Sequence, residues 1–396
     1  MSITPAEELQ RRSSKLQQYM QKQQIELALL VQNADLFYFT GTIQQGVLLV
    51  PAAGEPVYCV RKDFKRAQRE SALKNIVPLK SPRDLPGVMS DYSIAMPKRL
   101  AMELDVVPVA VYRRFTKPFA DAEVDDITPL IRLVRMIKSP YELERMRRAA
   151  EQEDVIYRRA REIIRVGISD VELAAELEFT ARRCGHQGIT RMRAFNSEFY
   201  AGHAFSGAAS AVPAFSDTPL GGEGPTPAVG QGAGHKVIAA NEPIIVDFLG
   251  AADGYLCDQT RTLCIGGLSA RLVRAYDDMC AVQALMMEIA RPGVSWGAVY
   301  DECCKLACDR GYRDVFMGAA GAQVSFIGHG VGTELDEFPF IARGFNDNLL
   351  EENMTFAFEP KAVYAGIGAV GIENTFVVTA DGVESLTFSS EELVVL

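Results

Sequence analysis

Four carboxylates in this chain sit where carboxylates are costly. Asp247 lies in the apolar run Ile244-Ile245-Val246-Asp247-Phe248-Leu249, and Asp258 in the run that returns after Asp253-Gly254. Asp253-Gly254 is a hairpin turn signal. Reflection about the midpoint of Ala251–Gly254 predicts Asp247 opposite Asp258. Partners of that kind lie roughly 5 Å apart on one face of the ladder. A second ribbon, Met354 to Val378, repeats the pattern, with Glu359 and Glu373 reflecting about Gly366. Four ionised acids brought to one buried point repel one another and lose hydration. Either some stay protonated or cations neutralise them. Two divalent ions balance four carboxylates in formal charge. His329, set between Gly328 and Gly330, offers an imidazole, and the glycines let the backbone come close to a cluster. Four carboxylates and one imidazole form a hard donor set, suited to Mn, Co, Fe or Zn. Each residue also has a plainer reading. Asp258 could pair with Arg261, Glu359 could be a strand-end charge before Pro360, and His329 could be a satisfied core histidine.

The elements that must carry these residues are well marked. Thr4-Pro5-Ala6-Glu7, Ser139-Pro140-Tyr141-Glu142 and Ser169-Asp170-Val171-Glu172 read as helix starts, each with a cap and an early acid. Further helices are expected from about 270 to 290 and from about 296 to 310. Short β-rich runs at 27–31, 46–50, 56–60 and 106–112 alternate with helical segments, an α/β pattern. The domain boundary is expected in Arg132–Ser139, giving domains 1–135 and 136–396. In the second part, Arg165-Val166-Gly167-Ile168-Ser169 and Arg291-Pro292-Gly293-Val294-Ser295 each end one helix and start another. That echo suggests two αα-ββ halves about one pseudo-axis. Residues 205–235, rich in Gly, Pro and Ala, read as a lid or pocket wall. Gly366-Ile367-Gly368-Ala369-Val370-Gly371 matches a dinucleotide fingerprint, but a β pattern follows it where a helix is required, so a nucleotide site is not expected.

Composition narrows the classes. The chain has 396 residues, 48% hydrophobic and 23% charged, with a net charge of −10. It is long enough for two folded domains, and its acidity argues against a nucleic-acid partner. No uncharged apolar run reaches the roughly 18 residues of a membrane span, and the first twenty residues hold no apolar core of signal-peptide type. A cytoplasmic address is expected. None of the eight cysteines forms a CxxC pair, so buried thiols are expected.

The chain resembles the creatinase/aminopeptidase P/prolidase family over nearly its whole length. Ala34–Gly41 and Ile137–Glu142 resemble that family's N-terminal-domain and linker motifs. Val246-Asp247, Asp258-Gln259-Thr260-Arg261-Thr262, Gly328–Gly332, Phe358-Glu359-Pro360 and Ile372-Glu373 resemble its metal-binding motifs, in the same order. The resemblance implies an α+β fold: a pita-bread catalytic domain with pseudo-twofold αα-ββ halves, preceded by a smaller α/β creatinase-like domain. It implies two divalent ions, of which manganese is one candidate, with Asp258 and Glu373 bridging, Asp247 chelating one, and His329 and Glu359 holding the other. It further implies a metal-bridging hydroxide attacking a scissile carbonyl, Glu359 as proton shuttle, and an Xaa-Pro peptide substrate of aminopeptidase P or prolidase type. A homodimer built through the N-terminal domain goes with it.

Three positions depart from the family pattern. Asp336 stands where a histidine is usual, Ala214 follows Pro213 where another histidine is usual, and Gly371 replaces an arginine two residues before the last metal glutamate. Asp336 is a candidate to bind a substrate amine or carry a proton. His203 and His235 are the candidates to replace the missing upstream imidazole in substrate binding. These departures keep two alternatives open: a non-peptidase relative (a lyase or small-molecule hydrolase) using the same metal centre, and a catalytically silent binding protein on this fold.

Overall fold

A computed structural model of the chain describes residues 3–396, and the chain divides into two compact units. The first runs to Arg135 and takes in Arg193–Ser197; the second comprises Met136–Met192 and Glu198–Leu396.

The first unit holds a six-stranded sheet. Its strands are β1 Leu27–Leu30, β2 Gly46–Pro51, β3 Val57–Val60, β4 Ile76–Pro78, β5 Arg99–Met102 and β6 Glu123–Asp126, in the order β4-β3-β2-β1-β5-β6. Its helices are α1 Ala6–Lys22, α2 Asn33–Thr40, α3 Phe64–Glu70, α4 Leu85–Asp91, α5 Val109–Thr116 and α6 Thr128–Arg135. Both faces of the sheet are buried. Ala28, Leu30, Leu48 and Val50 pack on one side, and Leu27, Leu29, Val47 and Leu49 on the other. That is why these strands read as unbroken apolar runs rather than alternating ones.

Two details differ from the sequence reading. Pro5, not Thr4, is the N-cap of α1, and no side chain caps it. Residues 106–112, read as a strand, lead instead into α5, with Pro108 as its N-cap. Val107, Val111, Tyr112 and Phe115 pack together against the sheet's apolar side. That helical spacing outweighs the β preference of the valines.

The second unit begins with α7 Pro140–Ile163 and α8 Asp170–Arg183. Ser139 with Glu142 and Ser169 with Glu172 form complete capping boxes, as the sequence predicts. Caps of this kind stabilise a helix by about 1 kcal/mol each. Strands β7 Gly202–Ser206, β8 Pro243–Ala252 and β9 Tyr255–Cys264 follow, with residues 212–242 between β7 and β8 largely irregular. Helices α9 Ala270–Ile289 and α10 Trp296–Asp309 precede β10 Phe326–Val331, β11 Leu335–Ala342, β12 Thr355–Phe358, β13 Lys361–Tyr364, β14 Gly368–Gly371, β15 Asn374–Val378, β16 Val383–Ser385 and β17 Val394–Val395. Two helices then strands occur twice, as the echo suggests. The strands form sheets β17-β9-β8-β7 and β11-β10-β12-β15-β16, with β13-β14 a separate hairpin. A bridge between Thr260 and Glu373 ties the sheets at the point that matters below.

Candidate metal centre

The first acid pair stands on the face of β8 and β9 turned away from α7 and α8. Ile244, Val246 and Phe248 pack with the helices, so Asp247, between them, projects to the opposite side. The turn is the two-residue Asp253-Gly254, which pairs Asp247 with Thr260 and Asp258 with Leu249. The predicted Asp247–Asp258 register is therefore wrong by two residues. An even error preserves the face, so the two acids are diagonal neighbours rather than direct partners. His203 of β7 pairs with Asp247 across the other ladder and joins this face.

The second pair follows its predicted reflection. Phe358 pairs with Asn374 and Lys361 with Gly371, both symmetric about Gly366, and Glu359 and Glu373 stand at the break between the two ladders. His329 lies mid-strand in β10, beside Ala357 and Phe340. A Cβ on Gly330 would lie 2.4 Å from the carbonyl oxygens of Glu337 and Phe338. Glycine is thus required there by the irregular packing of β11 against β10.

These elements converge. Asp258 Oδ2, Glu359 Oε1 and Glu373 Oε1 stand 3.9, 3.8 and 3.8 Å from His329 Nε2. Donors sharing an ion at about 2.1 Å lie roughly 3–3.5 Å apart, so each of the three oxygens stands slightly beyond that spacing from His329 Nε2. Among the described residues, Asp258, His329 and Glu373 offer ligand atoms all within 4.8 Å of one another. Asp258, His329, Glu359 and Glu373 are buried, and Asp247 is partly exposed at the cleft. The cleft is lined by Met192, Phe199, His203, Asp217, Thr218, Phe326 and Leu335 besides the acids, His329 and Asp336. Residues Asp217 and Thr218 come from the Gly/Pro-rich stretch, which thus forms part of the wall. His235 is exposed and does not line the cleft, because its segment turns to solvent after residue 234. Arg261 spends its guanidinium on the carbonyls of Thr260, Glu373, Ser389 and Ser390 and on Asn374, not on Asp258.

The electrostatics show what the acids need. Burial, then Glu373 and Asp247, pushes the Asp258 carboxyl well above the usual range. Burial lifts Asp247 to about 6 and Glu359 to about 7, each against the pull of Lys361. Glu373 ends below its ordinary value: burial raises it, but Lys361, His329 and Thr260 outweigh burial. Asp258 Oδ1 is buried with no hydrogen-bond partner. A divalent ion would supply the missing partner and favour the ionised form of these groups. The donor set therefore fits a metal. His329 is turned for that use, with Nδ1 3.4 Å from the Gly330 carbonyl and 3.5 Å from Asp336 Oδ1. Asp336 itself has φ 61°, a left-handed conformation that aspartate tolerates. His203 is buried and held neutral, its pKa lowered to about 4 by burial and then by Lys361.

Sequence reasoning missed one participant. Lys361, with a side chain only 1% exposed, donates to both Glu359 and Glu373, the latter at 2.8 Å. It lies opposite Gly371, the place of the family's arginine, where an added Cβ would meet Lys361 Cγ at 2.7 Å. The signal was present: a lysine two residues after Glu359, facing a glycine, in an otherwise apolar hairpin.

Comparison with known proteins agrees with this architecture. Residues 144–380 match the model of metallopeptidase family M24, and residues 12–137 match that of the creatinase/prolidase N-terminal domain. An Xaa-Pro dipeptidase of Lactobacillus delbrueckii subsp. lactis is 26% identical over 96% of this chain and 98% of its own length. One from Pyrococcus furiosus is 24% identical, over 97% of this chain and all (100%) of its own. The crystal structure of the prolidase from Pyrococcus horikoshii superposes with a TM-score of 0.81 at 23% identity, covering 97% of this chain and 99% of that one. An Xaa-Pro dipeptidase structure from Bacillus anthracis gives 0.82 at 24%, covering 98% and 100%. These findings bear out the expected pita-bread fold with its creatinase-like N-terminal partner, and the chain belongs to metallopeptidase family M24.

Proposed function

We propose that this chain is a metal-dependent hydrolase that cuts Xaa-Pro bonds in short peptides. The observation that carries the reading is the ring of three carboxylate oxygens around His329 Nε2, at the end of a narrow cleft. Relatives that match along nearly their full length include Xaa-Pro dipeptidases, which supports the substrate class.

Asp247, Asp258, His329, Glu359 and Glu373 would hold the metal: a hard divalent ion such as Mn, Co, Zn or Fe, two of them by the family resemblance. When bound, such an ion polarises a carbonyl and makes water acidic enough to act near neutral pH. The chain's own residues do the rest. Glu359 accepts the nucleophile's proton and passes it to the leaving nitrogen, a role suited to a buried carboxylate at the edge of the cage. Asp336 keeps the proton on His329 Nδ1, which leaves Nε2 with a lone pair for the cage, and its partly exposed carboxylate lines the cleft where a substrate amine would come. Phe199, Phe326 and Leu335 give the substrate an apolar wall, and neutral His203 is the imidazole available for contact with it.

The domain assignment 1–135 and 136–396 belongs to the same reading, as does a cytoplasmic homodimer. Eight cysteines without a disulfide support a reducing compartment. Light scattering tests the dimer; a strict monomer at micromolar concentration refutes it.

The deciding assay is hydrolysis of Xaa-Pro dipeptides and longer Xaa-Pro-Yaa peptides by Mn-loaded protein. Turnover of any of them that stops on chelation supports the proposal. Bound metal without turnover favours the non-peptidase alternative, for which Asp336, Ala214, Gly371 and Lys361 already argue. Protein that takes up no ion is a silent binding protein.

A further inference from the structure

We infer that the Lys361 ammonium occupies the second cation place of the centre, so that the cage holds one divalent ion instead of a pair. The inference rests on the metal reading above and deepens it.

The donors divide unequally. Glu359 and Glu373 each turn Oε1 toward His329 Nε2 and Oε2 toward Lys361 Nζ. Glu373 Oε2 also accepts from Thr260 Oγ1 at 2.7 Å. A carboxylate oxygen has about two good acceptor directions, and both of these are taken. The oxygen through which Glu373 would bridge to a second ion is thereby spent on an ammonium and a hydroxyl. On the His329 side His329, Asp258 and Glu373 keep ligand atoms within 4.8 Å of one another, and Glu359 Oε1 adds a fourth donor 3.8 Å from Nε2. On the Asp247 side there remain only the Asp247 carboxylate and Asp258 Oδ1, where a catalytic ion normally draws on three protein ligands.

Lys361 is not free to leave. Its side chain is 1% exposed, and among the described residues its ion pairs are with Glu359 and Glu373 alone. Moving a buried ammonium away from two carboxylates leaves all three groups uncompensated. One divalent ion and one ammonium still set three positive charges against four carboxylates, so the cage is nearly neutral without a second ion.

The test is the number of Mn2+ ions bound by the stripped full-length chain, read by elemental analysis after gel filtration and by electron paramagnetic resonance. The expected result is one Mn2+ per chain with the spectrum of an isolated ion. In Lys361→Met, whose side chain has similar reach but no charge, two ions per chain and a coupled-pair spectrum are expected. Two tightly held, coupled ions in the unmodified chain overturn the inference, and so does Lys361→Met remaining at one. Circular dichroism reports whether Lys361→Met folds. If it does not, Asp247→Asn decides: one ion retained with affinity within about threefold supports the inference, while a fall from two ions to one overturns it. An unmodified chain that binds no Mn2+ overturns the metal reading itself, a different failure from binding two.

Discussion

Two buried charge clusters, one in each unit, are built to opposite ends. In the first unit Asp35 lies between Arg135 Nη1 at 2.9 Å and Arg193 Nη1 at 2.6 Å, and Arg193 also holds Asp105 at 2.7 Å. Cations and acids match, and rigid guanidinium forks suit such closed pairs. In the second unit four carboxylates meet one lysine and one histidine, and a buried Asp258 oxygen is left over. Both clusters pay for desolvation, but only the second keeps a negative surplus. Burial alone does not mark a functional site. A surplus of one sign that the protein leaves uncorrected does.

The comparison breaks most readily at the metal ligands. Glu359→Gln is expected to lower Mn-supported turnover of an Xaa-Pro substrate by more than about a hundredfold, beyond the 10–100-fold typical of partners that only support a ligand. Its urea midpoint should change less than its activity, because it removes one of several mutually repelling acids. Steady-state kinetics beside urea unfolding checks both. Asp35→Ala should behave in the reverse sense. It removes the carboxylate that two buried guanidinium groups share and should cost about 3–5 kcal/mol in unfolding free energy, with the Mn2+ count per chain unchanged. If Asp35→Ala removed the metal, the division into a structural and a functional cluster would fail.

A smaller effect sharpens the picture at the rim. Asp336→Asn keeps the side chain's size but removes the charge facing His329 Nδ1. Metal affinity should drop about 10–100-fold, measured by competition with a chelator. An unchanged affinity would reassign Asp336 to the substrate alone.

The smallest effect concerns a buried group with no counter-charge. His186 accepts a hydrogen bond from the Gly188 amide at Nδ1, 2.9 Å, which requires an unprotonated nitrogen there. Burial, helped by Arg182, lowers its pKa to about 4. The unfolded chain takes up this proton near pH 6.5 and the folded chain only near 4. The stability contributed by neutral His186 is therefore full above about pH 6.5 and is lost as pH falls toward 4. Melting temperatures at pH 7.5 and 5 should show a smaller acid loss in His186→Gln than in the unmodified chain.

Much of the fold was legible because periodicity and caps are local. The capping boxes at Ser139 and Ser169 and the runs of β1, β2 and β3 follow from neighbouring residues alone. Residues 106–112 were misread because valine's strand preference is local too, while the packing of Val111, Tyr112 and Phe115 that selects a helix is not. Asp258, His329, Glu359 and Glu373 were legible as types and as an order. Their convergence depends on two sheets meeting at Thr260 and Glu373, which no short window encodes. The Asp247–Asp258 register erred because the turn is tighter than assumed, yet the shared face survived. Lys361 escaped notice because its role depends on what stands across the ladder.

That position opposite Gly371 has a steric consequence. A side chain at 371 would collide with the Pro360 carbonyl oxygen, at 2.5 Å, and with Lys361 itself. Two of the three nearest obstacles, the Pro360 carbonyl oxygen and Lys361 Cα, are backbone atoms, so a side chain at 371 is refused whatever residue stands at 361. With 371 held to glycine, the cation beside Glu359 and Glu373 is supplied from the facing strand, by Lys361.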